Sequence, residues 1–453
     1  MIEFLLEVFK ENKNDDAIVW HNQIYSYDWL YQRVLQWQND LADHHIARGS
    51  VIILEADFSP NAVALFLALI EHNCILVPLT KSVESKKAEF TEIAEGEMQI
   101  SIADDDSVIF DPLPNQVSSP QGATQNLYSL LRDRHHPGLV LFSSGSTGKS
   151  KAALHDLTKI LEKFKVRRHK QRTISFLLYD HIGGVNTMLY TLSNGGCIVT
   201  VHERSPDKVL EAIEKYRVEL LPTSPTFINM ILFSEAYKYH DLSSLKTVTY
   251  GTEPMPESTL KRFHELFPDI TLQQTYGLSE VGILRSKSKS SDSLWVKLGG
   301  EGFETRIVDG ILQIKAESAM LGYLNAPSPF SEDGWFITGD EVEVDGEYFR
   351  ILGRRSELIN VGGEKVYPAE VESVIQQIDN VADVTVYGEK NPITGNIVCA
   401  KVRLLAHEDS KAAVLRIKNY CRERMPTFKV PVKVNLVNDE MHGERFKKMR
   451  SKQ

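Results

Sequence analysis

The chain has 453 residues, 42% of them hydrophobic and 25% charged, a composition that excludes long disorder and gives room for roughly two or three domains. Its formal net charge of −10 argues against a general nucleic-acid binder, so no nucleic-acid partner is expected. Cys74, Cys197, Cys399 and Cys421 form neither a C-x-x-C pair nor a metal-ligand spacing, as expected of a reduced, cytoplasmic protein.

The opening residues, MIEFLLEVFKENKNDD, are short, acidic and amphipathic, without the basic start or cleavage site of a signal peptide. Next, SYDWLYQRVLQWQNDLADH places Leu30, Val34, Leu35 and Leu41 at helical spacing. SVIILEA reads as a buried strand, NAVALFLALI at 61–70 as a core helix and CILVPL as another strand. The 61–70 run is too short to cross a bilayer and is followed by Glu71, so no membrane span is expected. This strand–helix–strand order implies a mostly parallel sheet covered by helices. DPLPNQVSSPQGATQN reads as a loop, GLVLFSS as a strand, ALHDLTKILEKFKV as a helix and TISFLLYD as a strand. GGVNTMLYTLS opens a helix, and further strands and one helix follow to LKTVTYG. From Ser286 the pattern changes: SKSKSSDS reads as a polar mobile loop, and glycine-bounded segments then suggest an antiparallel β unit. VEVDGEYFRILG reads as a hairpin turning at Asp345-Gly346. The last hundred or so residues carry their own helices and strands and end in a basic tail.

Three segments could carry chemistry. SSGSTGKSK, 143–151, ends like a P-loop, but G-x-x-x-x-G-K-S/T requires glycine where Ser143 stands. Placed between an expected strand and an expected helix, it suits main-chain N–H groups around a phosphate. Ser143, Ser144, Ser146 and Thr147 supply hydroxyls, Gly145 and Gly148 tight turns, and Lys149 and Lys151 positive charge. The alternative is an ordinary polar turn. In TYGLSE, 275–280, a tyrosine can stack on a base and a carboxylate can hold Mg²⁺, although such residues are common in loops. In 334–372, Asp340 and Arg354 sit in glycine-punctuated turns, suited to ribose hydroxyls or to solvated hairpins.

In this order the segments resemble the adenylate-forming (AMP-binding) superfamily of acyl- and aryl-CoA ligases, luciferases and peptide-synthetase adenylation domains. The resemblance covers nearly the whole chain through SSGSTGKSK, YGTEP, QTYGLSE, MLGYLNAP, FITGD and GRRSELINVGGEKVYPAEVE. It implies an α/β fold: a large N-terminal domain, 1–353, with parallel-sheet layers and a β unit, then a small mobile α+β domain, 354–453. It implies ATP-dependent conversion of a carboxylic acid to acyl-AMP, then transfer to a thiol. Coenzyme A comes first as acceptor and the phosphopantetheine arm of a carrier protein second; an amide-forming ligase and an ATP-binding non-enzyme remain alternatives. The implied roles place Ser143, Ser144, Gly145, Ser146, Thr147, Gly148 and Lys151 on ATP's outer phosphates. Gly251, Thr252 and Glu253 border the adenine, and Tyr276 stacks on it. Ser279 reaches the α-phosphate, Glu280 holds Mg²⁺, and Asp340, assisted by Arg354, takes the ribose.

The chain also departs from the family. Relatives carry a catalytic lysine after a glycine near the C-terminus, whereas Gly443 is followed by Glu444. Aligning on the trailing basic residue favours Lys447, three before Arg450, with Lys448 as the alternative and a merely solvated tail as a third reading. Ser150 replaces a proline, and Ser356 stands at the family's hinge. Gly362 and Gly363 fall where relatives line a thiol tunnel. LLYDHIGGVNTMLYTL, 177–192, resembles the acid-binding segment, with His181 in its histidine slot and Gly183 beside it. His181 reads equally as a core or helix-capping residue; Asp180 reads as an amine ligand, a partner of His181 or a cap. SPTF, 224–227, is expected to line the same pocket.

Overall fold

The structure is a computed structural model that describes residues 1–114, 123–144, 150–439, 441–443 and 448. Two seven-stranded sheets form its bulk. The first runs Thr271–Gln274, Thr247–Tyr250, Leu220–Thr223, Arg172–Ile174, Cys197–Val199, Asp16–Trp20, Gln23–Ser26, all parallel except the last pair. The second runs Gly322–Tyr323, Ser150–Asp156, Gly138–Ser144, Ile75–Leu79, Val51–Glu55, Met98–Ile102, Val108–Pro112, with a parallel centre and antiparallel edges.

Helices fill the layer between these sheets. Pro60–Glu71 is hydrophobic all round because it is buried all round: Ala62 through Ile70 are each 0% exposed. Its start is set by Pro60 at the first helical position and by Ser59, whose side chain accepts from the Ala62 N–H. Tyr27–Asp43, capped by Ser26, and Ile182–Ser193 pack into the same core. In Ile182–Ser193, Gly184 lies so close to the preceding loop that a Cβ would stand 2.0 Å from the Leu178 carbonyl oxygen, so only glycine fits.

A six-stranded antiparallel sheet follows, in the order Arg285–Ser288, Trp295–Gly299, Tyr348–Arg354, Phe336–Asp345, Ile311–Ala316, Phe303–Val308. The expected hairpin is there, with Asp345 paired to Tyr348 around Gly346. The short 3-10 turn Arg355–Glu357 leads into a small C-terminal unit with its own five-stranded sheet and its own core, which runs from Ile359 to Val434. Helices Pro368–Ile375 and Ser410–Arg424 cover that sheet. A large α/β domain with a small C-terminal one is therefore the observed class. Among the described residues no helix is long and apolar enough to cross a membrane.

Some elements differ from expectation. ALHDLTKILEKFKV is not one helix: Ser150–Asp156 is a strand and the helix is only Leu157–Leu161. Ala152 to Asp156 are buried, and a strand buried on both faces shows no alternation to betray it. The Ser/Thr/Gly loop therefore joins two antiparallel strands, with Ser143 opposite Lys151 and Ser144 opposite Ser150, and does not open a helix. TISFLLYD contributes only Thr173 and Ile174, to the strand Arg172–Ile174. The stretch read as a loop over 111–126 ends in helix Ala123–Arg134. The Ser/Lys stretch is half strand, Arg285–Ser288, and is pinned: the Ser288 and Ser291 hydroxyls accept from the Gln274 and Leu272 N–H groups.

Gly184→Ala is expected to destabilise the protein by about 3 kcal/mol, because the added methyl meets main chain. A urea midpoint within error of wild type would contradict this.

Candidate functional site

The structure gathers the motifs where the sheets meet. Gly277–Leu278 and Gly282–Ile283 form a short antiparallel ribbon whose turn holds Ser279 and Glu280. Just before it, the Tyr276 hydroxyl donates to Asp340 Oδ2, joining segments 64 residues apart. Asp340 lies directly across the hairpin from Arg354, whose Nε stands 3.5 Å from Asp340 Oδ1. Burial pushes the Asp340 carboxyl above the usual range, against the pull of Arg354. Burial and the neighbouring Asp340 hold Tyr276 protonated, as a donor to that carboxylate.

The second group assembles around Tyr323. Its two-residue strand pairs with Ser150–Asp156, placing Tyr323 opposite Ala153. From there the Tyr323 hydroxyl donates to Glu280 Oε1 at 2.6 Å, and Lys151 Nζ lies 5.2 Å from the centre of its ring. Asn325 clamps the same strand, accepting from the Ala152 N–H and donating to the Ser150 carbonyl. Both residues belong to MLGYLNAP, whose fit to the family was visible although neither had been given a role. His155 escaped sequence reasoning altogether. It is fully buried, with Nε2 on the Ser279 carbonyl, and burial pushes its pKa down to about 4.

At YGTEP, Gly251 is obligatory, since a Cβ would stand 2.6 Å from Thr275 Oγ1 and 2.8 Å from its carbonyl oxygen. Thr252 holds φ at +76°, a strained value for a β-branched residue. Glu253 is fully engaged. Oε1 accepts from Thr226 N at 2.9 Å and from its hydroxyl, and Oε2 accepts from Lys448 N at 3.1 Å. Ser224 caps helix Pro225–Ser234, placing SPTF beside this turn.

His181 is the N-cap of Ile182–Ser193, where Nδ1 accepts from Gly183 N at 3.1 Å. Of its expected readings, this is the helix cap. Asp180 is buried and accepts from Thr80 Oγ1 at 3.2 Å. Ser356 lies exposed in the 3-10 turn between the β unit and the C-terminal sheet. Gly362 and Gly363 form the exposed tip of the Ile359–Val361/Glu364–Val366 hairpin, with positive φ values of +62° and +97°. Lys448 points away from the gathered motifs: its buried ammonium lies 3.3 Å from Glu372 and 2.8 Å from the Val384 carbonyl. Gly145, Ser146, Thr147, Gly148 and Lys447 lie outside the described residues, and of Ser144 only the main-chain pairing is described. The described residues hold no cluster of three or more His, Cys, Asp or Glu side chains fit for a metal ion.

The family model described as "AMP-binding enzyme" matches residues 6–309, and that of the AMP-binding enzyme C-terminal domain matches 370–448. The chain belongs to the AMP-binding enzymes. Among curated relatives, an indoleacetate–CoA ligase of Aromatoleum aromaticum is 28% identical over 330 residues, which cover 67% of this chain and 64% of that protein, a little under two thirds of its length. Among solved structures, the anthranilate CoA ligase AuaEII in complex with anthranoyl-AMP superposes with a TM-score of 0.80 at 21% identity, covering 98% of this chain and 95% of the other. The amide bond synthetase McbA from Marinactinospora thermotolerans superposes at 0.74 and 21%, covering 98% and 97%.

The low pKa of His155 makes a stability prediction. Between pH 6.5 and 4 the unfolded chain binds a proton that the folded one refuses, so stability falls as pH drops through that window. The loss is about 3 kcal/mol on going from pH 7 to pH 4. His155→Gln should remove that part of the slope in urea titrations at the two pH values; an unchanged slope would show that the imidazole does not titrate in this range.

Proposed function

We propose that the protein activates a carboxylic acid with ATP, giving acyl-AMP and pyrophosphate, and passes the acyl group to a thiol, coenzyme A in the first place. The observation that carries this reading is the convergence of two sets, Tyr276–Asp340–Arg354 and Lys151–Tyr323–Glu280, at opposite ends of one short ribbon in an AMP-binding chain. Asp340 and Arg354 take the ribose hydroxyls, while the Tyr276 ring and Gly251, Thr252 and Glu253 frame the adenine. Ser143 to Gly148 and Lys151 hold the outer phosphates, and Ser279 reaches the α-phosphate.

The chemistry sets the demands on these residues. A carboxylate oxygen attacks the α-phosphorus, the bond from that phosphorus to the bridging oxygen breaks, and pyrophosphate leaves. Bringing two like charges to ~4 Å costs about 4 kcal/mol at an effective dielectric near 20. Positive charge at Lys151 and Lys447 offsets that repulsion. Glu280 fits a Mg²⁺ ligand, since such a site takes one or two carboxylates and completes its shell with phosphate oxygens. When bound, the metal supplies charge neutralisation at those oxygens. In the second step the thiol sulfur attacks the acyl carbon and AMP departs. We place the domain boundary at 353/354 and the hinge at Ser356, whose exposed turn leaves the C-terminal unit free to rotate and carry Gly362 and Gly363 toward the thiol. The buried, unbridged cysteines support a reducing, cytoplasmic setting.

The test is pyrophosphate release with ATP, Mg²⁺ and a panel of fatty, aryl and amino acids, with and without coenzyme A, and mass spectrometry of the products. Acid-dependent release is expected, with a thioester as product. Release without a thioester would turn the acceptor toward a carrier protein or an amine, and ATP binding with no release across the panel would make the chain a non-enzyme. Lys447→Ala should lower adenylation by at least ~100-fold while thioester formation from supplied acyl-AMP survives.

A further inference from the structure

Lys163 lies in the short 3-10 turn Glu162–Phe164, after the strand that carries Lys151 and the helix Leu157–Leu161. Its amine donates to Asn186 Oδ1 at 2.6 Å and to the Ile283 carbonyl at 3.1 Å. Asn186 is on the helix that begins at His181 and Gly183, and Ile283 is on the ribbon whose turn holds Ser279 and Glu280. The amine thus bridges the helix of the segment that resembles the family's acid-binding one and the ribbon that carries Ser279 and Glu280.

Its electrostatic position is unusual. Both hydrogen-bond acceptors are neutral, and the nearby charges that act on it are further cations, Arg168 and Arg285. None of the three is ion-paired within the described residues. Burial, followed by those two guanidinium groups, lowers the Lys163 pKa to about 7. A desolvated ammonium among like charges is the costly half of an incomplete ion pair. Lys163, Asn186 and Ile283 are each half-buried, so the cluster lies at the edge of the interior.

We infer that Lys163, with Arg168 and Arg285 around it, binds a second carboxylate at the far end of the acid, and that the substrate is a dicarboxylic acid. The inference rests on the acid-activation reading above and names the substrate class of that same site. Taking His181, in the histidine slot of the acid-binding segment, as the mark of the reacting end, the helix rises ~7.5 Å to Asn186, the span of a diacid of about six to eight carbons. A plain hydrocarbon tail would leave the ammonium facing apolar atoms, and the site discriminates against it for that reason.

Two measurements test this. In the first, pyrophosphate release is compared for suberate against octanoate and for adipate against hexanoate, in wild type, Lys163→Met and Lys163→Arg. The diacid-to-monoacid ratio of kcat/KM is expected to exceed one in wild type, to fall at least ~30-fold in Lys163→Met, and to recover partly in Lys163→Arg. In the second, wild-type protein is labelled with acetic anhydride at pH 7 and Lys163 is followed by mass spectrometry. Suberate should protect it and octanoate should not, a readout that needs neither turnover nor a variant that folds. Protection without pyrophosphate release would keep the diacid site and overturn acid activation. Release from monoacids, with no protection and a ratio unmoved by Lys163→Met, would overturn the diacid site and keep acid activation. Neither protection nor release would overturn both.

Discussion

Main-chain pairing of a two-residue strand holds the candidate site together. Gly322–Tyr323 adds itself to the edge of Ser150–Asp156, and through it Glu280 and Lys151 come to share one phenol ring. Neither charged side chain reaches the other unaided. Asn325 reinforces the pairing from the next turn of chain, using both ends of its amide on the main chain of that strand. The polar atoms of MLGYLNAP are thus spent on geometry, which is how a charged site is held rigid without an expensive buried ion pair.

Polar contacts join the C-terminal unit to the rest, among them the bonds that buried Glu341 accepts from Arg355, Lys365 and Tyr367. Lys448 donates its main-chain N–H to Glu253, while its side chain remains in its own unit with Glu372. Thr259 reaches Gln376, and Ser258 reaches Ser373, across the same divide. Each side of that boundary keeps a separate apolar core.

The sequence disclosed the motifs and their order, because each is a dense cluster of turn-forming and charged residues. It also disclosed most elements with a clear period, such as Tyr27–Asp43 and the strands of the parallel sheet. Where burial is two-sided, periodicity vanishes, and Ala153–Asp156, the end of the strand Ser150–Asp156, reads as helix for that reason. Contacts between distant segments left no local trace either. Nothing in the stretch around Tyr323 says that it will face Glu280, and nothing around Lys163 says that it will meet Asn186 and Ile283. His155 lies four residues beyond a recognised motif, and its place comes from a carbonyl 124 residues away. The serines of 286–293 looked solvated because their acceptors are put to use only when the parallel sheet lies alongside.

Asp340 is engaged before any ligand arrives. Tyr276 sits on one oxygen and Arg354 faces the other, which leaves each oxygen room for one further donor. On the proposed reading, a ribose hydroxyl would join a carboxylate that is already held in place. A grip of that kind would orient the sugar while adding little to what the carboxylate already had, so that the spent nucleotide is easy to shed.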